Sequence, residues 1–187
     1  MAAHNRSRAA IYVEESTGML IYTLGHSTRT QQEFLSILDA FSIGTIADIR
    51  TIPRSRKNPQ YDQDEFRRWL TEQAVNYVHL GGLGGLRHPR KDSVNMGWKN
   101  ESFRGYADYM QTPAFDSALE QLIALATSQT AAIVCAEAVP WRCHRSLVAD
   151  ALLVRGIEVR DILNRRVASA MIAQFSTRLV LIGNEKS

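Results

Sequence analysis

The segment from residue 135 to residue 145 holds the densest group of reactive side chains in the sequence. It contains two thiols, one carboxylate, one imidazole and two guanidinium groups, from Cys135, Glu137, Arg142, Cys143, His144 and Arg145. An apolar run that predicts a strand ends where this segment starts, and a helical pattern begins where it stops. Ligands of α/β proteins bind where strands pass into helices, so this segment is the first candidate for a functional site.

The two cysteines are expected to play different parts. Cys143 and His144 come at or just before the predicted start of a helix, where free amides and the helix dipole favour negative charge. Arg142 and Arg145 flank this pair, so we expect the Cys143 thiol to have a lowered pKa, and it could be a nucleophile, a metal ligand or a structural residue. Cys135 ends an apolar run and is expected to be a small buried hydrophobe. A metal site would require Cys135, Cys143 and His144 to meet, although their spacing matches no paired C-x-x-C zinc pattern.

Two familiar phosphate-binding motifs are excluded by their spacing. A cysteine phosphatase needs an arginine six positions after its catalytic cysteine, but Trp141 and Ala149 occupy those positions after the two cysteines. The glycines between residues 81 and 87 lack both the Gly-Lys-Ser/Thr of a P-loop and the glycine spacing of a dinucleotide fingerprint. These glycines are therefore expected to permit tight turns.

Glu137 and Asp48 are the candidates for general acid–base catalysis, because Glu137 follows one predicted buried strand and Asp48 lies at the end of another. For either carboxylate, the alternative is a salt bridge, with Arg50 or Arg145, that ties two loops together. His26 follows the first predicted strand and could be a proton carrier or a hydrogen-bonding residue at a helix start. The sequence leaves each of these alternatives open.

The net charge of +3 does not by itself indicate binding to nucleic acid. The arrangement of the basic residues is more informative, because they cluster in three predicted loops: Arg50, Arg54, Arg56 and Lys57; Arg87, Arg90 and Lys91; and Arg142 and Arg145. Each cluster alone could be solvated surface. If they share one rim of the fold, they form an anion site, in which we also include Ser27 as a phosphate-binding candidate.

Apolar periodicity predicts strands that alternate with helices. The predicted strands cover residues 19–24, 45–49, 76–80, 131–136, 157–162 and 178–182, and the predicted helices cover 30–41, 62–74, 101–111, 113–127, 146–155 and 164–175. Capping patterns at Thr30 with Glu33, and at Asp62 with Glu65, mark two helix starts, and residues 81–100 form a long loop. We expect a three-layer α/β fold with a mostly parallel sheet of five or six strands, flanked by helices.

Residues 1–187 are expected to form a single α/β domain with an N-terminal arm over residues 1–18. The sequence has no apolar run of about 18 residues that could cross a bilayer, and its start lacks the apolar region of a signal peptide. With only two cysteines, a cytoplasmic protein with free thiols and no membrane partner is expected. The pattern predicts no particular oligomeric state.

The chain resembles the domain-of-unknown-function family numbered 488 in five segments. They are TLGHS at 23–27, DIR at 48–50 with PRS at 53–55, YVHL at 77–80 continuing to Gly85, FRGYA at 103–107, and CAE at 135–137 with CHR at 143–145. The combination of Cys-x-Glu with Cys-His-Arg is the most specific part. The resemblance covers about residues 21–162, most of the chain. It implies that the five segments contribute to one type of site, and it implies no particular reaction.

Together, these features favour an enzyme that acts on an anionic substrate, a nucleotide or nucleic acid, by hydrolase-type acid–base chemistry in a basic cleft. In this hypothesis the arginines after the second and fourth strands hold phosphate. Glu137 or Asp48 moves a proton or activates water, and His26 or His144 assists.

Two alternatives to this enzyme hypothesis remain open. One is a module that binds nucleic acid without catalysis, and the other is a metal-dependent or thiol-dependent site on Cys135 and Cys143. The sequence indicates no particular cofactor, and the binding of a divalent metal ion is a further open alternative.

Overall fold

The computed structural model describes residues 18–163 and 167–169. Its six strands are β1 (Leu20–Gly25), β2 (Thr45–Asp48), β3 (Asn76–His79), β4 (Ala131–Cys135), β5 (Glu158–Ile162) and β6 (Val167–Ser169), and its α-helices are α1 (Gln31–Ala40), α2 (Gln63–Glu72), α3 (Glu101–Tyr109), α4 (Pro113–Ser128) and α5 (Arg145–Val154). The sheet order is β3-β2-β4-β1-β5-β6. The first five strands are parallel, and β6 pairs antiparallel with β5. The predicted α/β fold class is confirmed.

The predicted elements agree with the described ones within two residues, with one exception. A helix was expected over residues 164–175, but residues 167–169 form the strand β6. Pairing with β5 overrides the helical pattern here, because β5 would otherwise be an unpaired edge of the sheet. The rest of that segment, the strand predicted at 178–182 and residues 1–17 of the predicted arm lie outside the described residues.

Helices cover both faces of the sheet. α1 and α2 pack on one face and α3, α4 and α5 on the other, through buried side chains that include Phe34, Leu38, Phe66 and Leu70 on the first face and Tyr106, Phe115, Leu122, Leu147 and Leu152 on the second. The central strand β4 contributes alternate residues to the two layers, as its 2-residue period requires: Ala132 and Val134 to one, Ile133 and Cys135 to the other. None of the described helices combines the length and apolar character needed to cross a bilayer.

Two helix starts are fixed in different ways. The predicted capping box at Thr30 is confirmed: its hydroxyl accepts the Glu33 N–H at 3.2 Å, and its own N–H donates to the Glu33 carboxylate at 2.8 Å. Asp62 occupies the N-cap position of α2, but the capping role predicted for its side chain is wrong. The Asp62 carboxylate accepts the backbone N–H of Ser55 at 2.6 Å instead. It therefore ties the start of α2 to the loop that follows β2.

Asp108 on α3 anchors the long loop that was predicted over residues 81–100. Its buried carboxylate accepts the N–H of Arg90 at 2.8 Å, the Ser93 hydroxyl at 2.7 Å and the Asn95 amide at 2.7 Å. Apart from one 3-10 turn at Gly81–Leu83, this segment is irregular, as predicted. These bonds hold the loop against the layer formed by α3, α4 and α5.

The chain leaves the two central strands in opposite directions. β1 and β4 are parallel neighbours, but α1 leads from β1 to β2 on one side, whereas α5 leads from β4 to β5 on the other. The loops after β1 and β4 thus diverge toward opposite faces of the sheet. In open α/β sheets, such a switch point at the carboxyl ends of the strands is where ligands bind.

Gly25 keeps the two diverging loops close together, and Gly25→Ala is expected to separate them. A Cβ on this residue would collide with the backbone carbonyl of Glu137, so one of the two loops must move. We expect a loss of about 1–3 kcal/mol in the free energy of unfolding, measured by urea denaturation. The control is Gly44→Ala, whose Cβ would meet only the flexible side chain of Gln129. Equal unfolding midpoints for the two variants would contradict this close approach.

Candidate functional site

The loops after three neighbouring strands begin in direct contact. The backbone N–H of His26 donates to the carbonyl of Cys135 at 2.9 Å, and the N–H of Ser27 donates to that of Ala136 at 3.0 Å. On the other side of β4, the Ile49 N–H donates to the carbonyl of Val134 at 3.0 Å. The structure thus brings the chemistry-bearing segments after β1, β2 and β4 to one edge.

Asp48 and Arg50 form a buried ion pair at the end of β2. Arg50 Nη2 lies 2.6 Å from Asp48 Oδ2, and Arg50 Nε lies 2.9 Å from Oδ1. The Tyr77 hydroxyl donates to the same carboxylate at 2.8 Å. Asp48 is fully buried and Arg50 is 5% exposed. A salt bridge with Arg50 was the alternative to acid–base catalysis by Asp48, and that salt bridge is present.

His26 is buried against the ring of Tyr61, with the two rings stacked at 4.1 Å. Its Nδ1 lies 3.0 Å from the carbonyl oxygen of Ser27, so Nδ1–H donates there and Nε2 can accept from Arg50 Nη1 at 3.3 Å. Burial is the main reason that the pKa of His26 falls to about 4. At neutral pH His26 is therefore uncharged, with both ring nitrogens engaged.

The side chains of Cys135, Cys143 and His144 meet at the end of β4. The two sulfur atoms and an imidazole nitrogen all lie within 4.8 Å of one another. Cys135 was predicted to be a buried hydrophobe, and it is buried, but it also belongs to this cluster of reactive groups. Both cysteines are free thiols. We call these three residues the thiol–imidazole cluster.

The groups of this cluster affect one another's ionisation. The hydrogen bond between the two thiols is the main reason that the pKa of Cys135 falls to about 7, and it raises the pKa of Cys143. The sequence had suggested a lowered pKa for Cys143, but the lowered pKa is that of Cys135, whose thiolate is favoured by the bond with Cys143 and by the charge of Arg145. Burial lowers the pKa of His144 to about 4, so its imidazole is uncharged at neutral pH.

Arg145 fixes the loop that connects β4 to α5. Its side chain is 1% exposed, and its two terminal nitrogens donate to the carbonyl oxygens of Glu137 at 2.9 Å and Ala138 at 3.3 Å. Its backbone N–H lies 3.5 Å from the sulfur of Cys143. Arg145 was predicted to bind phosphate, and its guanidinium holds loop carbonyls in this structure.

The other predicted residues lie at the surface of the same edge. Glu137, Arg54, Arg56 and Arg142 are exposed. The Glu137 carboxylate accepts the N–H of Val139 at 3.4 Å. Ser27 is half-buried, and its backbone has a positive φ of 50°, an unusual conformation for a serine that marks the turn after β1.

One pocket lies apart from these residues. It has a volume of about 350 Å³ and opens between the end of β3 and α4, with a lining that includes His79, Gly82, Tyr109 and Ser117. None of the catalytic or phosphate-binding candidates lines it, although His79, Leu80, Gly81 and Gly82 belong to the 77–85 segment of the family resemblance. Its position therefore gives no support to those predictions.

Several residues of this edge were given no individual role from the sequence. Tyr61 stacks on His26, Tyr77 bonds Asp48, and Gly85 lies against the ring of His144. Cys135 was considered from the sequence as a member of a metal or thiol site only if it met Cys143 and His144, and the structure shows that these three residues do meet. The tyrosines carry no comparable signal, because their contacts arise between distant segments of the chain.

The buried position of Asp48 predicts that Asp48→Asn will mainly reduce stability. The change leaves the Arg50 guanidinium buried without its counter-charge, which costs about 3–5 kcal/mol. Urea denaturation measures this loss. The control is Glu158→Gln, which removes a carboxylate from the more exposed pair with Arg160 and should cost about 1 kcal/mol or less. An Asp48→Asn protein as stable as the control would contradict the structural role of this ion pair.

Comparison with known proteins gives one match. The model of the family described as "Domain of unknown function DUF488" matches residues 30–152, about two thirds of the chain. No curated protein and no solved structure matches. The matched range contains the Asp48–Arg50 ion pair, Glu137, the thiol–imidazole cluster and Arg145. The chain belongs to the DUF488 family.

Proposed function

We propose that this protein is an enzyme that acts on an anionic substrate, a nucleotide or a nucleic acid, with Glu137 as the general acid–base. The main support is that the exposed carboxylate of Glu137 and exposed basic side chains, such as Arg54 and Arg142, both lie at the switch point of the sheet. We assign the reaction to the cytoplasm, where thiols as close as those of Cys135 and Cys143 stay reduced.

The contrast between two carboxylates supports Glu137. Asp48 is buried and bound by Arg50 and Tyr77, so it has no access to a substrate. Glu137 is exposed, and within the described residues its carboxylate forms no salt bridge. Arg145 binds the backbone carbonyl of Glu137 and not its carboxylate, which accepts only the N–H of Val139 among the described residues. An accessible carboxylate on an anchored loop can exchange a proton with a bound substrate.

The exposed basic residues supply the anion site. Arg54, Arg56 and Lys57 lie in the loop after β2, and Arg142 lies in the loop after β4. β2 and β4 are neighbouring strands, so these loops start side by side. Exposed guanidinium and ammonium groups attract phosphate over a distance of about a Debye length, roughly 8–10 Å at physiological salt. The buried arginines are already engaged with Asp48 and with loop carbonyls.

Glu137→Gln tests the proposed catalytic role. The substitution keeps size and polarity but removes the proton-accepting carboxylate, so turnover should fall about 10²–10⁴-fold with an unchanged fold. The assay is mass spectrometry of products from a panel of nucleotides and short oligonucleotides, with circular dichroism as the check on folding. Glu120→Gln, at an exposed position on α4, is the matched control. Equal turnover by the two variants would refute the role of Glu137.

A non-catalytic nucleic-acid module predicts a different result. It would bind oligonucleotides equally well after Glu137→Gln and show no turnover. Arg54→Ala with Arg56→Ala should weaken binding in either case, and should reduce the slope of log affinity against log salt by about 0.7–0.9 for each phosphate that the two arginines neutralise. Arg68→Ala with Lys99→Ala removes two exposed charges elsewhere and serves as the control. If neither nucleotides nor oligonucleotides bind at low salt, the proposed substrate class is wrong.

A further inference from the structure

The thiol–imidazole cluster has the dimensions of a metal site. The two sulfur atoms and an imidazole nitrogen lie within 4.8 Å of one another, and Cys143 Sγ lies 3.6 Å from His144 Nδ1. A tetrahedral zinc ion has bonds of about 2.3 Å to sulfur and 2.0–2.1 Å to nitrogen, so its ligand atoms are about 3.5–3.8 Å apart. Small rotations of the side chains would therefore bring all three atoms to bonding distance of one ion.

The imidazole of His144 has the orientation of a metal-binding histidine, with one ring nitrogen facing a backbone carbonyl and the other facing Cys143. Its Nε2 lies 3.4 Å from the carbonyl oxygen of Ile49, a partner for the Nε2–H proton. A histidine that binds metal through one ring nitrogen commonly donates the other N–H to such a carbonyl. This leaves the lone pair of Nδ1 on the side of Cys143. Gly85 keeps space there, because a Cβ at this position would collide with Nδ1.

Backbone N–H groups surround both sulfur atoms. The N–H of Arg145 donates to Cys143 Sγ at 3.5 Å, and the backbone N–H groups of Ala136 and Glu137 help to lower the pKa of the Cys135 thiol. Hydrogen bonds of this kind favour the thiolate form, which is the form that binds metal. The end of β4, the loop after it and the first residue of α5 thus supply the ligands and the N–H groups that support them.

The charges near the cluster permit a cation. Arg145 is a positive neighbour of both thiols, and it opposes the approach of a metal ion. Its guanidinium is bound to the carbonyl oxygens of Glu137 and Ala138. Arg87 is a further positive neighbour of His144, and Arg50, near Cys135, is neutralised by Asp48. Two thiolates therefore balance the charges of Arg145 and Arg87, and their soft sulfur atoms select Zn²⁺ over Mg²⁺ or Ca²⁺.

We propose that Cys135, Cys143 and His144 bind one Zn²⁺ ion. Two cysteines and one histidine are a ligand set that catalytic zinc sites use, with the fourth position left for water or substrate. The site lies on the anchored loop that also carries Glu137, at the switch point of the sheet. Binding of zinc can be measured without any substrate, so the metal site and the proposed reaction are tested by separate experiments.

Metal analysis of the untagged, full-length protein is the test. After reduction and anaerobic incubation with Zn²⁺ and removal of excess ion, we expect about one zinc per chain by mass spectrometry. Co²⁺ in place of Zn²⁺ should give the thiolate-to-cobalt charge-transfer bands and the intense visible bands of a tetrahedral sulfur-ligated ion. Cys143→Ser and His144→Gln should each weaken Co²⁺ binding at least about 10-fold.

His79→Gln is the matched control, because His79 is also half-buried at this edge of the sheet and contacts a backbone carbonyl, that of Arg50. This variant should keep its zinc. The Co²⁺ spectrum of the wild-type protein tests for thiolate ligands even if a cluster variant fails to fold. The proposal is overturned if the reduced wild-type protein takes up neither ion, if the spectrum lacks thiolate bands, or if the folded Cys143→Ser protein binds zinc as tightly as wild type.

Discussion

The buried guanidinium of Arg145 is the constraint on which the rest of the site depends. The loop between β4 and α5 must turn from a central strand to a helix, and its carbonyl groups need partners there. Arg145 donates to two of them, at Glu137 and Ala138, while its own N–H contacts the sulfur of Cys143. Burying an arginine is costly unless it is hydrogen-bonded. Within the described residues only the Nε of Arg145 lacks a partner, so its hydrogen bonds to the loop carbonyls largely offset the cost of burial.

The two carboxylates at neighbouring strand ends differ in their exposure to solvent, and this difference gives them different roles. Asp48 ends β2 and is fully buried, where Arg50 and Tyr77 hold its charge. Glu137 lies two residues beyond the end of β4, where the chain has already left the core, and its carboxylate is exposed. The same functional group therefore stabilises the edge of the sheet in one place and is available to a ligand in the other. His26 is buried as well, and its Nε2 lies 3.3 Å from Arg50 Nη1.

Much of this arrangement is encoded locally and could be predicted from the sequence. Apolar periodicity located five strands and five helices, and their alternation implied the parallel sheet that collects polar residues at one edge. Contacts between distant segments could not be predicted. Examples are the bond from Tyr77 to Asp48 and the contact of Asp62 with Ser55 in place of a helix cap. The meeting of Cys135 with Cys143 and His144 depends on the path of a loop that Arg145 fixes, which no periodicity reveals.

We propose that the end of β4 and the loop after it bring two thiols and an imidazole together around one metal ion. Anomalous scattering from crystals of the zinc-treated protein, recorded on both sides of the zinc edge, tests it most directly. We expect one anomalous peak, about 2.3 Å from the sulfur atoms of Cys135 and Cys143 and about 2.0–2.1 Å from Nδ1 of His144. A map with no peak at this position, or with the two sulfur atoms joined in a disulfide, would contradict it.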